Sequence, residues 1–282
     1  MDITKNENII LSNPETKDFL ADTYYLKSDK KLPLVIFVHG YKGYKDWGSW
    51  NLMAEKFAEA GLFFVKFNFS HNGTTLINPI GFDDLEAFGN NNYTKELSDL
   101  GVVIDHFSKD PQVDDQKVIL IGHSRGGGIS IVKTCEDERI NALVTLASVD
   151  SLERFPKDEG LAEWEAKGVY YIENARTKQE MPHYYQFFED FKNSEHRFDV
   201  ERSMEMSKAH VLIIHGTSDE GVDVKNAEHL HILNPNSELF LIENGNHTFG
   251  AKEPWTETEL PEDLNTVIEK CIQFINDKIV NE

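Results

Sequence analysis

One twelve-residue stretch, Lys117 to Gly128, constrains this chain more than any other; it reads KVILIGHSRGGG. Its apolar run, residues 118–121, predicts a strand buried on both faces. Gly122, Ser124 and Gly126 follow at the G-x-S-x-G spacing, which is typical of a serine held on a tight strand-to-helix turn with its hydroxyl exposed. Such a turn also directs backbone N–H groups towards the serine, where they can stabilise an oxyanion. The alternative is a glycine-rich strand-to-helix turn whose serine has no catalytic role.

Length and charge narrow the class of protein. A chain of 282 residues, 40% of them hydrophobic, can bury the core of one α/β domain. With 28 basic and 49 acidic residues its net charge is −21, which argues against nucleic acid or an anionic membrane as a partner. No signal peptide or transmembrane run is visible, and Cys135 and Cys271 are predicted to be free thiols. We therefore expect a cytoplasmic protein, and the sequence leaves its oligomeric state open.

Predicted strands alternate with predicted helices along most of the chain. This alternation predicts a mostly parallel sheet with helices on both faces. The first two predicted strands, residues 9–11 and 19–26, are expected to form an antiparallel pair at the start of the chain. The further strands are predicted at residues 34–38, 63–69, 118–121, 142–147, 211–214 and 239–242.

The alternation stops after Val149, and about sixty residues pass before the next strand. This insertion holds ten aromatic residues and is too long for a plain connection. We predict that residues 149–207 form a cap, or lid, over the carboxyl ends of the strands, and that 1–148 and 208–282 form the core. Most of the aromatic residues are expected to form the core of the cap rather than to contact substrate. A short strand is predicted at 169–172 and a helix at 184–191.

A serine nucleophile needs a base, and the base needs an orienting acid. His247 follows the last predicted strand, and Asp219 lies in the first turn after the preceding one. The chain order Ser124, Asp219, His247 is the order expected of α/β-hydrolases. Ser124 is therefore the predicted nucleophile, His247 the general base and Asp219 the acid. Asp150 and Asp223 are alternative acids.

Four motifs together resemble one superfamily. They are GHSRGG at 122–127, HGY at 39–41, HGTSD at 215–219, and His247. The chain resembles the α/β-hydrolase superfamily from about residue 33 to 279, and within it the dienelactone-hydrolase-like and serine-peptidase-like branch that includes bacterial cinnamoyl (feruloyl) esterases.

The resemblance implies an α/β-hydrolase fold with a mostly parallel, eight-stranded-type sheet. It also implies an oxyanion hole made by the backbone N–H groups of Tyr41 and Arg125, and we expect the Arg125 side chain to have a structural role. His39, His123 and His215 are predicted to pack beneath the site. There are two departures from the family pattern. Many relatives carry a proline shortly after the acid, where this chain has Val222 and Asp223, and the cap of cinnamoyl esterases is similar in placement only.

The expected function is a serine hydrolase that cleaves a small-molecule carboxylic ester through an acyl-enzyme, with a hydroxycinnamoyl-type aromatic acid as one candidate acyl group. A peptidase, thioesterase or acyltransferase would use the same residues, and a non-catalytic ligand-binding protein is the alternative from another class. No metal is expected, because His229 and His231 lack a third ligand at a sensible spacing. No cofactor is expected either, because no G-x-G-x-x-G motif opens a βαβ unit.

Overall fold

Eight strands form one mixed sheet in the computed structural model, which describes residues 2–281. The strands of the chain are β1 (Ile3–Leu11), β2 (Phe19–Leu26), β3 (Leu32–Val38), β4 (Phe63–Phe67), β5 (Val113–His123), β6 (Ile140–Leu146), β7 (Val169–Glu173), β8 (Glu180–Tyr184), β9 (His210–Gly216) and β10 (Glu238–Ile242). The order in the sheet is β1-β2-β4-β3-β5-β6-β9-β10, parallel from β4 onwards and antiparallel at β1, β2 and β4. The predicted fold class is confirmed.

Helices cover both faces of this sheet. They are α1 (Trp50–Glu59), α2 (Leu85–Gly89), α3 (Tyr93–Phe107), α4 (Arg125–Glu136), α5 (Glu159–Lys167), α6 (Gln186–Asn193), α7 (Val200–Met206), α8 (Lys225–Leu233) and α9 (Glu262–Ile275), the last ending in a π-helical turn (Asn276–Val280). Within residues 2–281, no helix combines the length and the hydropathy that crossing a bilayer requires.

The central strand β5 contributes to two apolar layers. Val118 and Leu120 pack with residues of α3 and α4 on one face, and Ile119 and Ile121 pack with residues of α1 and α9 on the other. All four side chains are fully buried. This is the two-faced burial that the apolar run predicts, and it places the end of β5 at the middle of the sheet edge.

The insertion, residues 149–207, carries α5, β7, β8, α6 and α7. The strand predicted at 169–172 is β7, but the helix predicted from residue 184 begins only at Gln186. Tyr184 instead ends β8 and pairs with Val169 across an antiparallel hairpin. The hairpin turn is closed by Asn174, whose side chain accepts a hydrogen bond from the Arg176 N–H. Cross-strand pairing therefore overrides the helical spacing at this boundary.

Aromatic side chains of the insertion pack on one another and on the core. Trp164 is buried, its indole N–H donates to the His183 carbonyl (2.8 Å), and its ring packs against Phe155. Phe155 and Phe187 both contact Tyr93 of α3. The aromatic residues thus form a core, as predicted for most of them, and this core is continuous with one face of the sheet. That the insertion acts as a lid stays a prediction.

A buried cluster of four charged residues joins β2, β4 and the loop after β3. Asp22 accepts from Lys45 Nζ (2.7 Å) and Lys66 Nζ (2.6 Å), and Asp46 contacts both lysines. The Asp22, Lys45 and Lys66 side chains are at most 2% exposed. Although burial opposes ionisation, the two lysines hold the pKa of Asp22 below its usual value. The cluster is thus internally neutral.

We expect Lys66→Met to lower the free energy of unfolding by about 3 kcal/mol, because it leaves the buried Asp22 carboxylate and the partly buried Asp46 carboxylate facing one lysine. The measurement is urea denaturation followed by circular dichroism. Lys56→Met is the matched control, since Lys56 forms an exposed pair with Glu59 and its loss should cost less than about 1 kcal/mol. Equal losses in the two variants would show that the buried cluster contributes no more than a surface pair.

Candidate active site

Ser124 occupies the corner between β5 and α4 in a strained conformation. Its φ of 56° and ψ of −122° lie outside the regions that residues with a side chain normally adopt. Its backbone N–H donates to the Leu146 carbonyl of the neighbouring strand (2.8 Å), which holds the corner in place. The residue is partly exposed, so its hydroxyl stands above the edge of the sheet as the motif predicts.

The corner packs directly against the loop that follows β3. A Cβ at Gly40 would lie 2.9 Å from the Cβ of Ser124, and a Cβ at Gly126 would lie 2.5 Å from the His39 carbonyl oxygen. Neither position has room for a side chain without moving backbone.

The structure brings together the three predicted residues Ser124, His247 and Asp219. His247 Nδ1 lies 2.8 Å from Asp219 Oδ2, and His247 Nε2 lies 3.1 Å from Ser124 Oγ. Since a carboxylate can only accept, Nδ1–H donates to Asp219 and the lone pair of Nε2 faces the serine hydroxyl. The imidazole therefore has the tautomer that can receive the Ser124 proton.

The two alternative acids lie away from His247. Asp150 contacts His229 Nδ1 at 2.9 Å, and Asp223 accepts from the Lys225 N–H. Only Asp219, of these three aspartates, contacts His247. The structure therefore places Asp219 where the sequence predicted the acid.

Both oxygens of Asp219 are fully used. Oδ1 accepts from the backbone N–H groups of Gly221 (2.7 Å) and Val222 (2.8 Å), and Oδ2 accepts from His247. Oδ2 also lies 3.1 Å from His215 Nε2, which is shared with the Val222 carbonyl oxygen at 2.8 Å. Although burial opposes ionisation, the bonds from His215, His247 and Val222 hold the pKa of Asp219 well below its usual range. A proline at 222 could not donate the bond that Val222 donates.

Three buried histidines lie beneath the site, where the sequence predicted them. His39 donates from Nδ1 to the Gly40 carbonyl (2.9 Å) and accepts the Phe69 N–H at Nε2, and burial lowers the pKa of His39 to about 4. His123 donates from Nε2 to the His247 carbonyl (2.9 Å), and burial lowers its pKa to about 3. His215 lies beside Asp219 and the Val222 carbonyl. The rings of His39 and His123 are therefore neutral hydrogen-bonding groups that hold the loops around the site.

The backbone N–H groups of Tyr41 and Arg125 lie on the two segments that meet at Ser124. Tyr41 follows Gly40 in the loop after β3, and Arg125 is the first residue of α4. Within residues 2–281, neither N–H donates to another protein group, so both remain available to an oxygen bound at Ser124. The Arg125 guanidinium lies beside the Tyr41 ring and donates to the buried Glu96 (2.6 Å), consistent with a structural role.

Two cavities of unequal size open on Ser124. The larger has a volume of about 500 Å³ and lies between the core and the insertion. It is lined by the aromatic residues Tyr41, Tyr93, Phe155, Tyr170 and Phe187, by the cations Lys42, Arg125 and Arg154, and by His183. The smaller, about 130 Å³, lies on the other side and is walled by Trp47 and Trp50. A third cavity, of about 770 Å³, does not contain Ser124. It is lined by the first residues of β6 and β9 and therefore lies at the opposite edge of the sheet.

No group of three or more His, Cys, Asp or Glu side chains within residues 2–281 is arranged to hold a metal ion. The two histidines considered at the sequence level have other partners. His229 contacts Asp150, and His231 contacts the Ser237 hydroxyl (2.8 Å).

Several solved structures share the fold at low identity. Est1E from Butyrivibrio proteoclasticus is 18% identical, with a TM-score of 0.70 over 98% of this chain and 100% of its own, and its ferulic acid complex has a TM-score of 0.73. An esterase domain from Rhodothermus marinus is 15% identical (TM-score 0.66, 98% and 99% covered). A puromycin-hydrolysing peptidase from Mycobacterium tuberculosis is 14% identical (TM-score 0.67), and the match covers 98% of this chain and 39% of that one.

No curated protein sequence matches the chain significantly. The sequence profile of the prolyl oligopeptidase family does match, over residues 79–259, which is more than half of the chain. The matched segment contains Ser124, Asp219 and His247. The resemblance to α/β-hydrolases of the serine-peptidase-like branch is therefore confirmed. The chain belongs to the prolyl oligopeptidase family, and it is a hydrolase with the α/β-hydrolase fold.

Proposed function

We propose that this protein is a serine hydrolase that cleaves a carboxylic ester through an acyl-enzyme. One observation carries the proposal, namely the continuous hydrogen-bond chain from Ser124 through His247 to Asp219. A weakly nucleophilic hydroxyl, a base within reach and an acid that fixes the base are the parts that acyl transfer requires.

In the first half of the reaction, Ser124 Oγ attacks the ester carbonyl while its proton moves to His247 Nε2. The imidazolium that forms is stabilised by Asp219, which stays ionised because its own donors favour the charged form. His247 then gives the proton to the departing alkoxide. The ester C–O bond breaks, the alcohol leaves, and an ester to Ser124 remains.

In the second half, His247 takes a proton from water while the water oxygen attacks the acyl carbon. The ester bond to Ser124 Oγ then breaks, His247 returns the proton to Oγ, and the acid leaves. Each half passes through a tetrahedral oxyanion. The N–H groups of Tyr41 and Arg125 are our proposed donors to that oxygen, supported by their position on the two segments that meet at Ser124. The helix N-terminus at Arg125 adds a favourable partial charge.

We further propose an aromatic, hydroxycinnamoyl-type acid as the acyl group. The rings of Tyr41, Tyr170 and Phe187 line the larger cavity and offer faces on which a planar acid can stack. The similar fold of Est1E, which has been solved with ferulic acid bound, supports the same choice.

Peptide hydrolysis is the second candidate, favoured by the family to which the chain belongs. A peptidase that recognises a free amino terminus needs a carboxylate to pair with the ammonium group. Among the described residues that line the larger cavity there is no Asp or Glu, and three are cationic. This lining favours the ester over an amino-terminal peptide substrate.

Ser124→Ala is expected to lower kcat for a p-nitrophenyl ester by about four orders of magnitude or more, because no nucleophile remains. It should also abolish labelling by a fluorophosphonate probe. Ser218→Ala is the matched control, since Ser218 is an exposed serine in the Asp219 loop. Unchanged turnover by folded Ser124→Ala would overturn the proposal.

Asp219→Asn is expected to lower kcat by about three to four orders of magnitude, because an amide does not enforce the His247 tautomer or stabilise the imidazolium. Asp223→Asn should retain activity, since Asp223 does not contact His247. Steady-state kinetics of the two variants, with circular dichroism to verify folding, make the comparison. A comparable loss in both would contradict the assignment of Asp219.

Substrate class is tested with esters that share one leaving group. We expect p-nitrophenyl 4-hydroxycinnamate to exceed p-nitrophenyl hexanoate by about tenfold in kcat/KM, because only the former can stack in the larger cavity. We expect Gly-Pro-p-nitroanilide to be hydrolysed more slowly than either ester. Equal rates for the two esters would remove the aromatic preference, and a faster anilide would favour the peptidase.

A further inference from the structure

The larger cavity beside Ser124 has the opposite charge to the protein as a whole. The chain has a net charge of −21, yet Lys42, Arg125 and Arg154 line this cavity and no described lining residue is Asp or Glu. Acidic residues outnumber basic ones by 49 to 28, so an all-cationic lining is not what the composition alone would produce.

Two of the three cations have no ionic partner within residues 2–281. Arg125 is paired with Glu96, whereas neither Lys42 nor Arg154 lies within 4.0 Å of a carboxylate oxygen. Lys42 is partly buried, and its Nζ lies 5.1 Å from the centre of the Tyr41 ring. Burial lowers the pKa of Lys42, and no neighbouring charge offsets this effect. The partly buried Lys42 ammonium contacts the Tyr41 ring, and an anionic ligand would supply the counter-charge that no described residue gives it.

The wall behind these cations is neutral and rigid. His183 donates from Nδ1 to the Met181 carbonyl (3.2 Å) and accepts the Tyr41 hydroxyl at Nε2 (2.9 Å), and its ring stacks on Tyr170. Burial, reinforced by Arg125 and Lys42, lowers the pKa of His183 to about 4. The histidine therefore neither adds to the positive charge nor cancels it. Aromatic walls reduce the water in the cavity and strengthen the attraction of an anion.

We propose that the larger cavity binds a carboxylate carried by the substrate, with Lys42 inside the cavity and Arg154 at its exposed rim as the groups that recognise it. This inference rests on the proposed ester hydrolysis and specifies its substrate as an anionic ester. Lys42 supplies a charge-assisted hydrogen bond, and Arg154 attracts the anion to the opening. The small cavity, with about 130 Å³, leaves the other half of the ester little space.

The test uses ester pairs that differ only by a carboxylate and its neutral carbamoyl counterpart. One pair, methyl 4-carboxycinnamate and methyl 4-carbamoylcinnamate, carries the group on the acid. The other pair, 4-carboxyphenyl cinnamate and 4-carbamoylphenyl cinnamate, carries it on the alcohol. We expect the carboxylate member of at least one pair to be favoured by about tenfold or more in kcat/KM, and the preference to shrink at 0.5 M salt.

The double variant Lys42→Met, Arg154→Met should reduce this ratio to near one, because it removes both unpaired cations. Lys157→Met is the control, since Lys157 is exposed in the insertion, does not line the cavity, and changes the net charge in the same direction. The readout is a ratio within each variant, so a general loss of activity does not affect it.

Two results separate this inference from the proposed function. If wild-type protein hydrolyses the neutral and anionic esters equally, the proposed carboxylate site is wrong and the proposed ester hydrolysis is unaffected. If it hydrolyses no ester, the proposed ester hydrolysis is wrong. The carboxylate site is then tested by calorimetric binding of the esters to Ser124→Ala. Tighter binding of methyl 4-carboxycinnamate than of methyl 4-carbamoylcinnamate would then support the carboxylate site, and equal or absent binding would overturn it.

Discussion

The contact between two backbone turns, at Gly40 and at Ser124, is the constraint on which the rest of the site depends. Side-chain volume is excluded on both sides, since Gly40 faces the Cβ of Ser124 and Gly126 faces the His39 carbonyl. The close approach keeps Ser124 in its strained conformation and brings together the two segments that carry Tyr41 and Arg125. Strain at this corner is retained because strands β3 and β5, hydrogen-bonded side by side, hold both turns.

The buried carboxylates illustrate how the protein manages charge. Asp219 is surrounded by two histidines and two backbone N–H groups, and Asp22 by two lysines. Each is ionised at neutral pH because its donors outweigh the cost of burial. The larger cavity is different, since within residues 2–281 neither Lys42 nor Arg154 has such a counter-charge. The charges of Asp219 and Asp22 are balanced by their neighbours, whereas those of Lys42 and Arg154 are open to a ligand.

Much of the architecture and of the site could be predicted from sequence. The strands around Ser124 are apolar and bounded by turns, and Asp219 was preferred because it lies in the first turn after a strand whose carboxyl end meets the same sheet edge. The sequence left Asp150 and Asp223 as alternatives, because only the fold shows which aspartate contacts His247. The β7–β8 hairpin was only half predicted, since the pairing of Tyr184 with Val169 depends on a partner strand that spacing within one segment does not reveal. The Asp22–Lys66 cluster gave no signal, because its members come from separate strands and a loop.

The same cluster has a consequence for motion near the nucleophile. Lys45 lies in the loop that carries Tyr41, and its ammonium and backbone N–H are bound to Asp22 and to Asn68, the residue after β4. Swinging this loop outward would take Lys45 and Asp46 away from Asp22 and Lys66, which would keep only each other as partners inside the sheet. We therefore expect the amide hydrogens of this loop to exchange with solvent together with those of the neighbouring strands, because one wall of the cleft beside Ser124 is tied to the sheet.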